Sequence, residues 1–246
     1  MVFAALTDIG RHRKNNEDNF FVYKNEKLYG GMVADGMGGH NAGEVASKMA
    51  VDIIKHHIIC NYDTSMDYMQ IAEMIRAAFM IANREIYKAA QGNEKKGMGT
   101  TATLAVVYDR KLIIAHIGDS RCYMLSKGEL KQLTNDHSYV GELIRSGQIT
   151  EYDAQNHPNK NVITRALGAD AFAKVDMNIT AYNGDPVILC TDGLTNMISD
   201  GQIAEIMTEN KNPETAIEQM IELANKKGGN DNITVVVFEN VKGEAE

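Results

Sequence analysis

The chain has 246 residues, 44% of them apolar and 24% charged, and its 33 acidic and 25 basic side chains give a net charge of −8. This composition is typical of a folded soluble protein, and its acidic balance argues against a nucleic-acid binder that works through bulk positive charge. Three widely spaced cysteines without a Cys-X-X-Cys pair argue against a disulfide framework and a zinc–thiolate site.

The first part of the chain predicts short strands and then two long helices. Strands are predicted at 2–7, 19–23 and 28–34. Apolar residues then recur at every fourth position (Val45, Met49, Ile53), which indicates a helix. A second helix is predicted from about 66 to 91, where the apolar positions again follow helical spacing.

The rest of the chain returns to strands and ends on helices and one more strand. Strands are predicted at 100–108, 111–117, 122–126, 174–180, 186–190 and 232–239, and helices at 138–146, 200–207 and 213–227. The polar segment 147–161 is expected to be irregular and to form the outer part of a surface flap covering about 139–164.

Strands outnumber helices and do not alternate regularly with them, which favours an α+β fold with antiparallel sheets over a doubly wound parallel sheet. We expect one domain over residues 1–240 and a polar tail at 241–246. The apolar start at 1–6 is too short for a signal peptide, and no stretch approaches the ~20 apolar residues of a membrane span. We therefore expect a cytoplasmic protein without a membrane partner.

Acidic residues recur where predicted strands end, beside glycine or within tight turns. They are Asp8, Glu17, Asp18, Asp35, Asp119, Asp192 and Asp231. A single Asp-Gly pair is usually only a turn, but several carboxylates that converge repel one another unless a divalent cation neutralises them. An all-oxygen ligand set suits Mg²⁺ or Mn²⁺ rather than Zn²⁺ or Cu²⁺.

Other catalytic motifs are absent from the sequence. It contains no P-loop, no Gly-X-Ser-X-Gly elbow, no EF-hand loop and no cysteine followed six residues later by arginine. A serine hydrolase and a cysteine-based phosphatase are therefore disfavoured.

Eight short motifs, in order over nearly the whole chain, resemble those of the metal-dependent, PP2C-like Ser/Thr protein phosphatases in their bacterial form. They are DIGRHRKNNED at 8–18, VADGMGGH at 33–40, GMGTTAT at 97–103, GDSR at 118–121, LTNDHS at 133–138, RALG at 165–168, TDGL at 191–194 and GNDNIT at 229–234. Each motif alone is weakly specific, but eight in this order are highly specific.

The resemblance implies a four-layer αββα sandwich and a centre of two Mn²⁺ or Mg²⁺ ions, with a third ion in bacterial members. The implied metal ligands are Asp35 as the bridge, the Gly36 carbonyl, Asp192, Asp231, Asp18 through water, and Asp119 with Asp192 at the third ion. Arg13 matches the phosphate-binding arginine, although Arg11 lies close enough in sequence to be confused with it. A water between the ions would attack phosphorus directly, without a covalent phosphoenzyme.

The general acid is less defined. His40 is the histidine nearest the acidic cluster in sequence and is a candidate proton donor, with a turn or supporting role as the alternative. His137 is expected to be structural, hydrogen-bonded near the base of the flap, and Thr100 and Thr101 to pack and cap a strand start.

The function that follows is hydrolysis of phosphoserine and phosphothreonine in proteins, opposing a bacterial Ser/Thr kinase and acting on its substrates, by a monomer. One alternative is a catalytically inactive module on the same fold that binds phosphoproteins or partner domains. Its expected signature, loss of a metal aspartate, is absent. A calcium-dependent structural protein is the other alternative.

Overall fold

The computed structural model describes residues 1–39, 42–92 and 97–240. The strands in these residues are β1 (Val2–Asp8), β2 (Asp18–Lys24), β3 (Tyr29–Met37), β4 (Gly99–Thr100), β5 (Ala102–Tyr108), β6 (Lys111–Ile117), β7 (Arg121–Ser126), β8 (Glu129–Gln132), β9 (Asp176–Ala181), β10 (Val187–Cys190) and β11 (Ile233–Glu239). The helices are α1 (Ala42–Asn61), α2 (Tyr68–Ala90), α3 (Tyr139–Arg145), α4 (Glu151–Gln155), α5 (Asp192–Thr195), α6 (Asp200–Glu209) and α7 (Pro213–Lys226).

The strands form two antiparallel sheets. The first sheet has the order β1-β11-β10-β7-β8, and the second has the order β2-β3-β5-β6-β9, with β4 paired to the end of β3. This confirms the predicted α+β class with antiparallel sheets.

Three apolar cores separate four layers. Between the sheets lie buried residues of both, among them Val33, Ala105, Leu189 and Phe238. A second core joins α1 and α2 to the second sheet, and a third joins α6 and α7 to the first sheet. The layers therefore follow the predicted αββα order, and each helix pair buries one apolar stripe on a sheet.

The long helix α2 shows how local sequence fixes an element. The Asp67 carboxylate accepts hydrogen bonds from the backbone N–H groups of Met69 (2.8 Å) and Gln70 (2.9 Å), and the Gln70 side chain bonds back to the N–H of Asp67. Such a capping box contributes about 1 kcal/mol and defines where the helix begins. Its apolar stripe, represented by Ile75 and Phe79, is fully buried.

Three short elements differ from the prediction. The polar segment 147–161 is not wholly irregular, since it contains the one-turn helix α4, whose start is capped by Thr150. Strand β8 and helix α5 were not predicted, because each is four residues long and lacks a periodic apolar pattern. Residues 139–164, which include α3 and α4, are called the flap segment below.

Across the described ranges, no helix combines the length and the apolar character needed to cross a bilayer. The predicted polar tail at 241–246 lies outside the described residues.

Candidate active site

Asp18 and Asp35 face each other in the second sheet, because their Cα positions are partners in the β2–β3 register. Two threonines fix the backbone of Asp35. Its N–H donates to Thr101 Oγ1 (2.9 Å), and its carbonyl accepts from the Thr101 N–H (2.9 Å) and from Thr100 Oγ1 (2.8 Å). The two threonines therefore do more than cap a strand, since they hold the residue on which the acidic cluster centres.

Gly36 allows β3 to lie against the start of α1. A Cβ atom at this position would lie 2.0 Å from the carbonyl oxygen of Gly43, so no other residue fits without a backbone shift. The Gly36 N–H donates to the carbonyl of Glu17 (3.1 Å). The backbone after Asp35 is thus held by contacts that require glycine.

The first sheet supplies Asp192 and Asp231. Asp192 begins α5 two residues after the end of β10, and Asp231 lies two residues before the start of β11. Between them, a Cβ on Gly193 would lie 1.9 Å from the Asn232 carbonyl oxygen, so the two chain segments are in direct contact. Burial raises the pKa of Asp192, and the negative charge of Asp231 raises it further.

Two threonines at the edge of the first sheet, Thr234 in β11 and Thr191 just after β10, bind Asp18 of the second sheet. The hydroxyls of Thr191 and Thr234 donate to Asp18 Oδ2, at 2.8 Å and 2.7 Å. The Thr234 N–H in turn donates to Thr191 Oγ1 (3.0 Å). All three residues are buried, so these bonds join the edges of the two sheets at the acidic cluster.

Asp119 enters the cluster from the turn after β6. It is buried, and burial followed by the charge of Asp192 raises its pKa well above the ordinary value. Asp119 and Asp192, the partner that the resemblance implies for it, also line the same cavity.

Asp35 occupies the centre of these charges. Burial raises its pKa well above the ordinary value, and the charges of four other acids, Asp18, Asp192, Asp119 and Asp231, raise it further. The structure thus brings together all five aspartates that the sequence analysis named as ligands.

Three carboxylate oxygens in the cluster have no hydrogen-bond donor among the described residues. They are the Oδ1 atoms of Asp18, Asp119 and Asp192, and all three are buried. An anionic oxygen buried without a donor is costly, and a bound cation removes that cost. The chemistry of this all-oxygen donor set therefore fits Mn²⁺ or Mg²⁺.

The carboxylates are nonetheless held by protein groups rather than arranged around one point. Among residues 1–39, 42–92 and 97–240, no three His, Cys, Asp or Glu side chains stand ready to hold one ion. Arg13 donates to one oxygen of Asp231, two threonines donate to one oxygen of Asp18, and Asn196 donates to one oxygen of Asp192 (2.9 Å).

Arg13 lies directly at the cluster. Its Nη2 donates to Asp231 Oδ2 at 2.6 Å, and half of its side chain is exposed. The contact raises the pKa of Arg13, so the guanidinium stays charged. The contact with Asp231 places the Arg13 guanidinium at the cluster, which favours Arg13 over Arg11 as the phosphate-binding residue.

The two histidine predictions have different outcomes. His40 lies outside the described residues, so its role as proton donor stays a prediction. His137 is buried and hydrogen-bonded at the root of the flap segment, to Gly118 and Asp176, which confirms its expected structural role.

Asn232 is a site residue for which the sequence analysis gave no role. Its Oδ1 accepts from the N–H of Glu17 (2.8 Å), and its Nδ2 donates to the carbonyls of Ile9 (2.9 Å) and Asn15 (3.0 Å). One buried side chain therefore fixes the whole loop that carries Arg13. Its position inside the GNDNIT motif was the only signal in the sequence.

A cavity of about 990 Å³ opens beside Asp119 and Asp192. The flap segment lines it through residues such as Val140, Ile144 and Lys160, and the segment from Thr195 to Gln202 lines it as well. Its volume and polar lining suit a polar chain better than a small apolar ligand.

The raised pKa of Asp18, about 7 against an ordinary 3.8, gives a prediction for the metal-free protein. Burial is the main cause, and it keeps the folded carboxyl protonated where the unfolded one is ionised. The resulting stability is complete below pH 3.8 and is lost as the pH rises through 7. In urea melts with chelator, we expect the free energy of unfolding to fall over this range, and to fall less steeply in Asp18→Asn. Equal slopes would contradict the assignment.

A family model described as protein phosphatase 2C matches residues 10–234 of the chain. The serine/threonine phosphatase stp of Listeria innocua is 40% identical over 236 residues, which cover 95% of this chain and 93% of that protein. The structure of the S. agalactiae serine/threonine phosphatase is similar with a TM-score of 0.90 and 37% identity, over 97% of this chain and 99% of that one. The catalytic domain of the phosphatase PstP, solved in complex with two manganese ions, is similar with a TM-score of 0.80 and 35% identity, over 96% of each chain.

Proposed function

Because the chain belongs to the protein phosphatase 2C family and is a serine/threonine phosphatase, we propose that its acidic cluster holds the divalent cations of a phosphoprotein hydrolase. The observation that carries this proposal is the set of buried carboxylate oxygens without donors around Asp35. The two manganese ions bound to the similar PstP catalytic domain support the choice of metal.

The residues proposed to hold the ions come from both sheets. They are Asp35 and the Gly36 carbonyl, Asp192, Asp231, Asp18 through water, and Asp119 with Asp192 for a further ion. When bound, two Mn²⁺ or Mg²⁺ ions supply an activated water and neutralise charge on the phosphoryl group. Thr191 and Thr234 keep Asp18 oriented in this arrangement through their hydroxyl groups.

Arg13 is proposed to bind the phosphoryl group of the substrate. Its planar guanidinium offers two parallel N–H donors, which match two oxygens of a phosphate. Since one donor already contacts Asp231, the bound phosphate would lie at the edge of the acidic cluster. His40 is proposed as the proton donor to the leaving serine or threonine oxygen.

The cysteines do not supply a competing nucleophile. Burial raises the pKa of Cys190 to about 12 and that of Cys122 still further, so both thiols stay protonated. Cys60 lies in the last turn of the 20-residue helix α1, whose first turn, at Gly43, is the end that packs against Gly36 beside the acidic cluster. This favours direct attack of water on phosphorus over a covalent phosphoenzyme.

The proposed cellular setting follows from this chemistry. The substrates are proteins phosphorylated on serine or threonine, whose chain would enter the 990 Å³ cavity beside Asp119 and Asp192. We propose a cytoplasmic monomer that opposes a Ser/Thr kinase, with residues 1–240 as one catalytic domain and residues 139–164 as its flap.

The test is phosphate release from a phosphothreonine peptide with Mn²⁺, with Ca²⁺, and with chelator. We expect turnover only with Mn²⁺ or Mg²⁺, and loss of turnover in Asp192→Ala because one ion loses a charged ligand. Tight binding of the peptide without turnover at any Mn²⁺ concentration would instead favour the inactive binding module. Calcium binding without Mn²⁺-dependent hydrolysis would favour the structural alternative.

A further inference from the structure

The turn that carries Asp119 is enclosed on two sides. Gly118, the residue before it, has φ +112°, and a Cβ there would lie 2.5 Å from the Thr101 side chain. Thr101 therefore blocks movement of the turn in one direction. Its hydroxyl also bonds Ser120 Oγ (2.7 Å), the residue after Asp119.

His137 holds the same turn from the other side. Its backbone N–H donates to the Gly118 carbonyl (2.7 Å), and its Nδ1 accepts from the Gly118 N–H (3.1 Å). Both backbone polar groups of Gly118 are thus bound by one residue. Since Nδ1 accepts this bond, it carries no proton, and Nε2 donates to Asp176 Oδ2 (3.1 Å).

The residue before His137 strengthens the attachment. Arg121, two residues after Asp119, donates from Nε and Nη2 to the two carboxylate oxygens of Asp136, at 3.0 Å and 2.7 Å. The pair is mostly buried, which makes this bidentate contact stronger than a surface ion pair. Asp136 and His137 therefore hold the turn at both of its ends.

The flap segment begins immediately after these residues. The His137 carbonyl accepts from the N–H of Thr164 (2.8 Å), and the N–H of Tyr139 donates to the Val162 carbonyl (2.8 Å). The two ends of the flap segment are thus joined at His137. The side chain that fixes Gly118 belongs to the residue at which the flap is rooted.

We propose that His137 is a positioning residue that fixes the Asp119 carboxylate relative to the root of the flap. The inference rests on the proposed role of Asp119 as a metal ligand. Replacing a residue that contacts and orients a metal ligand commonly changes the metal affinity about 10- to 100-fold. His137 acts in this way through the backbone of Gly118, without touching an ion or the substrate.

The test counts bound Mn²⁺ by electron paramagnetic resonance, which requires no turnover. The Mn²⁺ that the wild type binds and Asp119→Asn does not is the class of bound ion that depends on Asp119. We expect His137→Ala to weaken that class at least about tenfold and to leave the other ions unchanged. His157→Ala is the matched control, because His157 Nδ1 also accepts a backbone N–H, that of Asn159 (3.1 Å), elsewhere in the flap segment. It should leave every class unchanged.

Two further variants keep the test decisive if His137→Ala does not fold. The oxygen of asparagine can take the place of Nδ1 and accept from Gly118, whereas the longer glutamine reaches toward Asp176 instead. We expect His137→Asn to bind the Asp119-dependent ion more tightly than His137→Gln. The reverse order of Mn²⁺ affinity in these two variants overturns the proposal. So does a Mn²⁺ binding curve of His137→Ala that equals the wild-type curve, or one in which all classes of bound ion are weakened equally.

The two levels of proposal fail in different ways. If Asp119→Asn binds Mn²⁺ as the wild type does, Asp119 is not a ligand, and that part of the proposed function falls together with the inference. If Asp119→Asn loses an ion while the His137 variants do not, the ligand assignment stands and only the role of His137 is overturned.

Discussion

Asp35→Asn is expected to lower kcat on the order of 10³-fold. The change keeps the shape of the side chain but removes the charge at the centre of the cluster, where four other aspartates act on it. A ligand shared by two cations contributes several kcal/mol of charge stabilisation, and a neutral amide oxygen replaces little of it. Hydrolysis of p-nitrophenyl phosphate at saturating Mn²⁺ measures the loss.

A folding control separates this effect from misfolding. The metal-free variant should keep the unfolding temperature of the wild type or exceed it at pH 8, because one of several mutually repelling buried carboxylates is gone. Asp52→Asn, on the exposed side of α1, is the matched substitution and should leave both quantities unchanged. If Asp35→Asn retained more than about a tenth of wild-type turnover, Asp35 could not be the shared ligand.

The fold was predictable where periodicity is strong. The apolar residues at every fourth position, Val45, Met49 and Ile53, indicated α1, and the apolar stripe of α2 is buried as expected. Strand β8 was missed because its residues alternate between exposed and half-buried positions and two of its four are charged. A strand held mainly by pairing with β7 carries little signal of its own in the sequence.

The site was predictable only in its acids. An aspartate at the end of an apolar strand indicates a place at the rim of a sheet, and the five predicted aspartates do meet there. The roles of Thr191 and Thr234 were not predictable, since they bind Asp18 across 173 and 216 residues of sequence and lie at the edge of the other sheet. Such contacts depend on how the two sheets pack against each other, and this packing cannot be predicted from a local pattern of residues.

Arg13 shows what the structure adds to a resemblance. The motif implied a phosphate ligand, and the structure shows the same guanidinium bound to Asp231 at 2.6 Å. Arg13 therefore has two proposed contacts, one with Asp231, a proposed metal ligand, and one with the phosphate of the substrate. These two roles predict opposite effects of its removal on metal binding and on turnover.

Arg13→Ala is expected to lower kcat/KM for a phosphopeptide about 100-fold and at the same time to reduce the Mn²⁺ concentration needed for half-maximal binding. Turnover falls because a charged bidentate contact to the phosphoryl group is lost, a contribution of about 3 kcal/mol. Metal binding tightens because the Asp231 carboxylate no longer has to break its ion pair with the Arg13 guanidinium before it binds the ion. Kinetics and a Mn²⁺ binding titration on the same variant measure the two effects.

Arg13→Lys separates the effect of Arg13 on metal binding from its contact with the phosphate. Lysine keeps the positive charge beside Asp231 but lacks the planar fork, so Mn²⁺ affinity should stay near the wild-type value while kcat/KM remains well below it. Arg11→Ala is the control from the same loop and should change kcat/KM far less than Arg13→Ala. If instead Arg13→Ala weakened Mn²⁺ binding and turnover together, the arginine would be supporting Asp231 as a ligand, and its proposed contact with phosphate would be wrong.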